Sequence, residues 1–274
     1  MARRVTLVAG GGDLVPHVAD AIRKRGDVLQ VVDIVGRQVP VDADEFARYP
    51  LSDASGLIET IRRFGPSHLV LAGGVHISDT DRRGIATAFG LAGRIAGGLG
   101  DIGLAGMILL YSRTQGWKLV GAHEVAPELL APAGHIAGPT EEIPLKSAIE
   151  RGIKAAKSVG ELDLGQSIVV SATRPIAAED TGGTDGLLAR VAQLREQGLV
   201  GDRHGPLILA KARKPRQPNF ADLPAIGPDT VTGAAAAGIS VIAVEAGATL
   251  IIERARLEQE AAARGITVVG VRHG

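Results

Sequence analysis

The sequence predicts an α/β protein of two domains joined by a Pro/Gly-rich linker, and three observations predict it. Short apolar, β-rich runs alternate with helical patterns along the whole chain, the mark of mostly parallel sheets covered by helices. The chain has 274 residues, enough for two cores. Near its middle, residues 126–144 (APELLAPAGHIAGPTEEIP) hold four prolines within nineteen positions, which reads as a boundary.

Taken in order, the first half runs VTLVA, the helical HVADAIRKRG, VLQVV, the helical LIETIRRFG, HLVLAGG, a helical stretch from Arg82 to Thr114, and KLVGAHEV. This places a first domain at 1–132 and a linker at 133–140. A helix from Glu141 to Ser158 restarts the pattern. SIVVSATRPIAAE, the helical TDGLLARVAQLREQ, PLILAKAR, the helical DTVTGAAAAG, ISVIAVEAG, the helical ARLEQEAAARG and ITVVGVR complete a second domain at 141–274.

Composition narrows the function. Thirty Lys+Arg balance thirty Asp+Glu, and four Phe, two Tyr and one Trp supply few stacking platforms, so nucleic acid is not an expected partner. The absence of cysteine excludes disulfides, thiolate zinc and cysteine nucleophiles. Any metal must therefore take oxygen or imidazole ligands. No apolar run reaches the ~18 residues of a spanning helix, and a cytoplasmic protein is the expectation.

Gly10, Gly11 and Gly12 sit where the first strand gives way to the first helix. Glycines there let backbone N–H groups approach a phosphate at the positive end of a helix; a tight turn is the alternative. Val15 leaves the dinucleotide fingerprint incomplete, and no GK[ST] is present. Asp33, twenty-three residues beyond Gly10, stands where a ribose-binding acid would, which keeps an NAD-dependent oxidoreductase as a rival. A second glycine turn, Gly73–Gly74, follows the third strand and either lines the same ligand or serves helix packing.

His123 and Glu124 are read at a strand end, as ligands to a phosphate or metal or as an exposed polar pair. Thr184 and Asp185 stand where a helix should begin. There they either cap it or meet a phosphate or its metal. Lys211, Arg213, Lys214 and Arg216 pack four cations into six positions, and a single carboxylate, Asp222, follows between Phe220 and Pro224. Such a group suits a pyrophosphate, with the carboxylate holding a hard cation or orienting water; a solvated basic loop is the other reading.

In order and spacing, AGGG, GAHEV, DLGQSIVV, GGTDGLLARV, KARKPRQPNFADLPAIG and VEAGATLIIERARL resemble the LpxI-type UDP-2,3-diacylglucosamine pyrophosphatases of lipid A biosynthesis over nearly the full chain. The resemblance implies a Rossmann-like N-terminal domain and a distinct C-terminal domain. It also implies a Mg²⁺-dependent hydrolase, with Mn²⁺ as the alternative ion, that splits UDP-2,3-diacylglucosamine into UMP and 2,3-diacylglucosamine 1-phosphate. The family's essential aspartate maps onto Asp222, the catalytic residue and metal ligand, with Asp185 as second ligand. The substrate contacts carried over are Gly10, Gly11, Gly12, Gly73, His123, Gln166, Thr184, Lys211, Lys214 and Gln217. Peripheral contact with the cytoplasmic face of the inner membrane, and a homodimer, belong to the same expectation. A non-catalytic nucleotide-sugar binding protein is the third reading. The chain departs from the family pattern at Gly74, where an amide is usual, at Ile102, where a carboxylate usually follows Asp101, and in SATRP, where a Glu is usual.

Overall fold

A computed structural model describes residues 2–36, 41–75, 77–78, 80–81, 84–85, 88–89, 100–139, 145–201, 205–215, 220 and 223–272, for 100–105 the backbone alone. Apart from the segment around Phe220, which groups with the first unit, the chain divides after Glu128 into two compact units.

The first unit is built on an all-parallel sheet of β1 (Arg4–Ala9), β2 (Val28–Asp33), β3 (Glu45–Arg48), β4 (His68–Ala72) and β5 (Lys118–Val120), in the order β3-β2-β1-β4-β5. This is the Rossmann-like, doubly wound order, which reverses between β1 and β4; ligands bind such sheets beyond the carboxyl ends of the two strands at the reversal. β1 and β2 are buried at almost every position because both faces are covered, and their buried polar pair, Thr6 and Gln30, bond each other at 2.9 Å. Helix α1 (Leu14–Lys24) buries Leu14, Val15, Val18 and Ile22 at helical spacing, with Arg23 and Lys24 at its negative end. α2 (Ala54–Phe64) starts on Asp53, whose carboxylate accepts from Gly56 N–H at 3.0 Å, and stops on Gly65 in the left-handed region. α3 (Gly100–Thr114) and the one-turn α4 (Ala122–Val125) follow later in this unit.

The second unit carries β6 (Gly134–Ala137), β7 (Ser167–Val170), β8 (Pro175–Ala178), β9 (Leu207–Lys211), β11 (Ile239–Glu245) and β13 (Thr267–Val271), in the order β6-β13-β11-β9-β7-β8. Only β13, β11 and β9 run parallel; β6, β7 and β8 are antiparallel to their neighbours. A parallel ribbon of β10 (Ala225–Ile226) and β12 (Leu250–Ile251) lies apart from this sheet. Its helices are α5 (Lys146–Glu161), α6 (Gly183–Glu196), α7 (Pro228–Ala236) and α8 (Arg254–Arg264). β9 shows how the layers form. Ile208 and Ala210 join Ile149, Ile153 and Ala156 of α5, while Leu207 and Leu209 join Leu187, Val191, Val231 and Leu257 of the other three helices. Alternate side chains of one strand thus supply both cores.

Two expectations change. Within the expected linker, 133–140, Gly134–Ala137 is an edge strand paired with β13. Prolines 132 and 139 flank this strand without interrupting it, as edge positions allow. Residues 129–132 also lie beyond the division: Ala131 N–H donates to Thr249 O at 2.8 Å and its carbonyl accepts from Gly247 N–H at 2.8 Å. The mostly parallel sheet expected of the second half is half antiparallel, since β7 and β8 form a hairpin across SATR. Among the described residues no helix is long and apolar enough to cross a membrane.

Candidate active site

In the first unit, the turns after β1 and β4 meet at the reversal of strand order. Gly10 N–H donates to Ala72 O at 2.8 Å, Gly11 N–H to Gly74 O at 2.8 Å, and Gly74 N–H to Gly11 O at 3.1 Å. A Cβ on Gly10 would stand 2.6 Å from Gly73 O, and one on Gly73, whose φ is +91°, would stand 2.4 Å from Gly11 O. These glycines therefore let two backbones touch, and the N–H groups of Gly10 and Gly11 are occupied within the fold. Gly12, with φ +86°, completes the turn into α1.

An apolar cavity of about 220 Å³ lies below these turns, at the carboxyl ends of β1 and β4 and between α2 and α3. Val8, Leu71, Leu57, Met107, Tyr111 and Trp117 represent its wall. An apolar lining of this kind favours apolar over polar matter.

The sequence expectation of an acid for ribose at Asp33 meets a different arrangement. Asp33 is fully buried; its Oδ1 accepts from Val35 and Gly36 N–H at 3.1 Å and its Oδ2 from Arg48 Nε at 2.9 Å. The carboxylate ties β3 to the loop after β2. His123 and Glu124 lie in α4 and not on a strand end, and Glu124 Oε1 accepts from Gly121 N–H at 2.9 Å, closing the helix start.

In the second unit, charge gathers at the carboxyl ends of β9 and β11. Lys211, the last residue of β9, is 6% exposed, and its Nζ donates to Thr184 Oγ1 at 2.8 Å and to Ala225 O at 2.9 Å. Thr184 Oγ1 donates to Glu179 Oε2 at 3.2 Å and lies 3.4 Å from Ser167 Oγ. Burial pushes the Lys211 pKa below the ordinary lysine value, and the charges of Glu179 and Asp185 act to hold it up. Beside it, Ala212 N–H donates to the carbonyl of Gln166 at 3.0 Å and Arg213 N–H to Glu245 Oε2 at 3.0 Å. Lys157 pairs with Glu245 at 2.7 Å, and Lys214 with Asp163 at 2.7 Å.

Thr184 is thus not the helix cap. α6 begins at Gly183 after Gly182, without a side-chain cap bond, and the threonine hydroxyl turns to the buried ammonium. A buried cation needs acceptors more than an exposed helix end does. Asp185 is exposed in the first turn of α6. Gln217 and Asp222 lie outside the described residues, as does the side chain of Asp101; Phe220 and Leu223, on either side of Asp222, are buried. Sequence reasoning missed Glu179, Asp163 and Glu245, the acids that answer the lysines. No motif marks them: Glu179 and Glu245 simply end apolar runs, and Asp163 follows a helix.

Among the described residues no group of three or more His, Asp or Glu could hold a metal. Mg²⁺ does not need one, since it is held by one or two carboxylates together with substrate phosphates and water. Exposed Asp185 and the absence of any thiolate fit that hard, oxygen-seeking ion.

Fold and site together define a two-domain α/β protein, with the glycine turns and the lysine-bearing segment at the carboxyl ends of parallel strands. Family comparison is specific: the LpxI N-terminal domain matches residues 4–129 and the LpxI C-terminal domain residues 132–269. The chain belongs to the LpxI family. A relative from Caulobacter vibrioides, the UDP-2,3-diacylglucosamine pyrophosphatase LpxI, is 33% identical over 282 residues, which is 98% of each chain. Two solved structures are much weaker likenesses. The Bordetella bronchiseptica enzyme WbmG in complex with NAD is 17% identical over 43% of this chain and 36% of that one, with a TM-score of 0.28. The GalE-like L-threonine dehydrogenase from Cupriavidus necator is 16% identical over 52% and 42%, with a TM-score of 0.29. At those scores neither carries an argument.

Proposed function

We propose that this protein is a diphosphatase that hydrolyses UDP-2,3-diacylglucosamine to UMP and 2,3-diacylglucosamine 1-phosphate in a Mg²⁺-dependent reaction of lipid A biosynthesis. The end-to-end relationship to the pyrophosphatase supports the reaction class. The single observation that carries the lipid substrate is the apolar cavity at the reversal of strand order, where an open α/β sheet takes its ligand. Each methylene sequestered there stabilises the complex by about 0.8 kcal/mol, which gives an acyl chain ample reason to enter.

In this reaction water attacks the phosphorus on the sugar side. A new P–O bond forms to the water oxygen, the bond to the bridging oxygen breaks, and that oxygen leaves with UMP. Asp222 orients the water or holds the ion. Asp185, exposed in the first turn of α6, is the second carboxylate available to a cation. When bound, Mg²⁺ neutralises charge on the diphosphate oxygens. Lys214 adds a positive charge 2.7 Å from Asp163. The α1 N-terminus after Gly12 offers its dipole to a nucleotide phosphate. Asp33, bonded to Arg48, is not presented to a ribose, which opposes the oxidoreductase reading. An apolar substrate also suits peripheral contact with a membrane surface.

The test uses purified protein, UDP-2,3-diacylglucosamine in detergent micelles and Mg²⁺ in ¹⁸O-water. UMP should be released, the label should appear in the sugar phosphate, EDTA should stop turnover, and Asp222→Ala should lower kcat by orders of magnitude. Label in UMP, or full activity of Asp222→Ala, overturns the mechanism; binding without turnover overturns the activity.

A further inference from the structure

We propose that an open pocket between α5 and the turn joining β7 to β8 binds a phosphate group, borne by a lipid or by a soluble molecule, at a place separate from the cluster around Lys211. The pocket has a volume of about 420 Å³ and is lined by Arg151, Lys154 and Ser158 of α5 and by Thr173 and Arg174 of the turn. Among the described residues no Asp or Glu lines it. β7 runs antiparallel to β9, with Ser167 opposite Lys211 and Val170 opposite Ile208, so the turn beyond Val170 sits at the amino end of β9 and Lys211 at its carboxyl end. The five residues of β9, at about 3.3 Å each, keep the two places apart.

Sequence periodicity builds one wall. Positions 151, 154, 155 and 158 recur at helical spacing, so they share one face of α5. Gly152, on the adjoining buried face, lets that helix lie close to the sheet: a Cβ there would stand 2.9 Å from Ala210 Cβ and 3.2 Å from Val170 Cγ2. The turn builds the other wall. Ser171 Oγ accepts from Thr173 N–H at 3.2 Å and from Arg174 N–H at 3.1 Å and donates to Arg174 O at 3.1 Å, so the loop is held by its own buried hydroxyl. Arg151 Nη2 donates to Ala172 O and ties helix to turn. That carbonyl is neutral, and among the described residues neither Arg151 nor Lys154 has an acidic partner. Lys157, on the same helix, pairs with Glu245 at 2.7 Å. Cations gathered at one concavity focus a positive potential into it, which an anion relieves.

Charge and shape select phosphate. A phosphomonoester carries about −1.5 to −2 charge at neutral pH and three strong acceptor oxygens, which several cations match and a single carboxylate would not. An arginine fork recognises two of those oxygens together, and a lysine adds a point charge. The Ser158 hydroxyl is spent on Lys154 O at 3.3 Å, so the cations are the principal donors. Ala155, Val170 and Pro175 add an apolar side. They suit the uncharged part of whatever molecule bears the phosphate.

The experiment has two arms, both on the full chain in EDTA. In the first, inorganic phosphate is titrated while backbone amides are followed by NMR. Shifts are expected at Thr173 and Arg174 and along 151–158, weakening as salt is raised. The dissociation constant should rise about threefold in Lys154→Gln and about tenfold when Arg151→Gln is added, and Lys154→Arg should keep the wild-type value. Lys146→Gln is the control, since it removes the same charge from an exposed position of α5 outside the pocket; it should change nothing. In the second arm the protein is sedimented with phosphatidylcholine vesicles that contain or lack phosphatidic acid. A lipid source gives binding that needs phosphatidic acid and falls about fivefold in Lys154→Gln; a soluble source gives the phosphate shifts without vesicle binding. Either result supports the pocket. Shifts confined to other places such as 12–15, equal losses in Lys146→Gln and Lys154→Gln, or neither phosphate nor vesicle binding overturn it. Turnover of UDP-2,3-diacylglucosamine in micelles by Lys154→Gln should stay within about twofold of wild type, as at other exposed positions; a large fall would overturn the separation from the Lys211 cluster.

Discussion

Gly10→Ala tests whether the paired glycine turns are made of backbone contact. The new methyl would stand 2.6 Å from Gly73 O and 2.7 Å from Gly74 O, distances that no rotamer relieves because both obstacles are main chain. Overpacking of this kind costs about 1–3 kcal/mol. Parting the turns also strains the Gly10–Ala72 and Gly11–Gly74 hydrogen bonds, each worth about 1 kcal/mol, so the total should reach about 2–4 kcal/mol. With a urea slope of roughly 1–3 kcal/mol/M, the midpoint should fall by about 1–2 M. Trp117, the only tryptophan in the chain and buried in the first unit, reports this transition by fluorescence. Gly74→Ala is the internal control. A Cβ there meets nothing within 4 Å, so its midpoint should stay within about 0.3 M, equivalent to roughly 0.5 kcal/mol. A Gly10→Ala midpoint equal to that of wild type, or of Gly74→Ala, would refute the reasoning.

Three further outcomes are expected. Met107→Phe, which enlarges the cavity wall, should exclude about one methylene and raise KM roughly fourfold for long-chain substrates; a short-chain analogue should be affected less than about twofold, and equal effects on both would remove the acyl role. Ile153→Ala, at a fully buried position of α5, should destabilise the second unit by about 2–5 kcal/mol in calorimetry. Burial would raise the Asp27 carboxyl, but hydrogen bonds from the Arg3 side chain and backbone N–H prevail and lower it. Its stabilisation is therefore present above the ordinary value of 3.8 and is lost as pH falls through the depressed folded value. Asp27→Asn should cost about 1–3 kcal/mol at pH 7 and progressively less in urea titrations run below pH 4.

Most of the fold was legible, and the misses have local causes. The core strands announced themselves because strands covered on both faces are apolar at most positions, as in VTLVA and ISVIAVE. Edge strands have no such run. Glu45–Arg48 and Gly134–Ala137 need only one buried side, and the second hid among prolines that read as a linker. Parallel and antiparallel β7 look alike in one dimension, since direction is set by the turn through Ser171–Arg174 and not by the strand's own residues.

The glycine turns, the lysine-rich segment and the family membership could be read from residue order alone, because they rest on residue type and spacing. Which groups those residues would face could not. Thr184 and Lys211 are twenty-seven positions apart, and Lys211 and Ala225 fourteen. Hydrogen bonds act over about 3 Å, so such pairs exist only once β9, α6 and β10 have been packed together. That is why a cation cluster that suited an open phosphate site resolves, at Lys211, into a buried tie between two pieces of backbone.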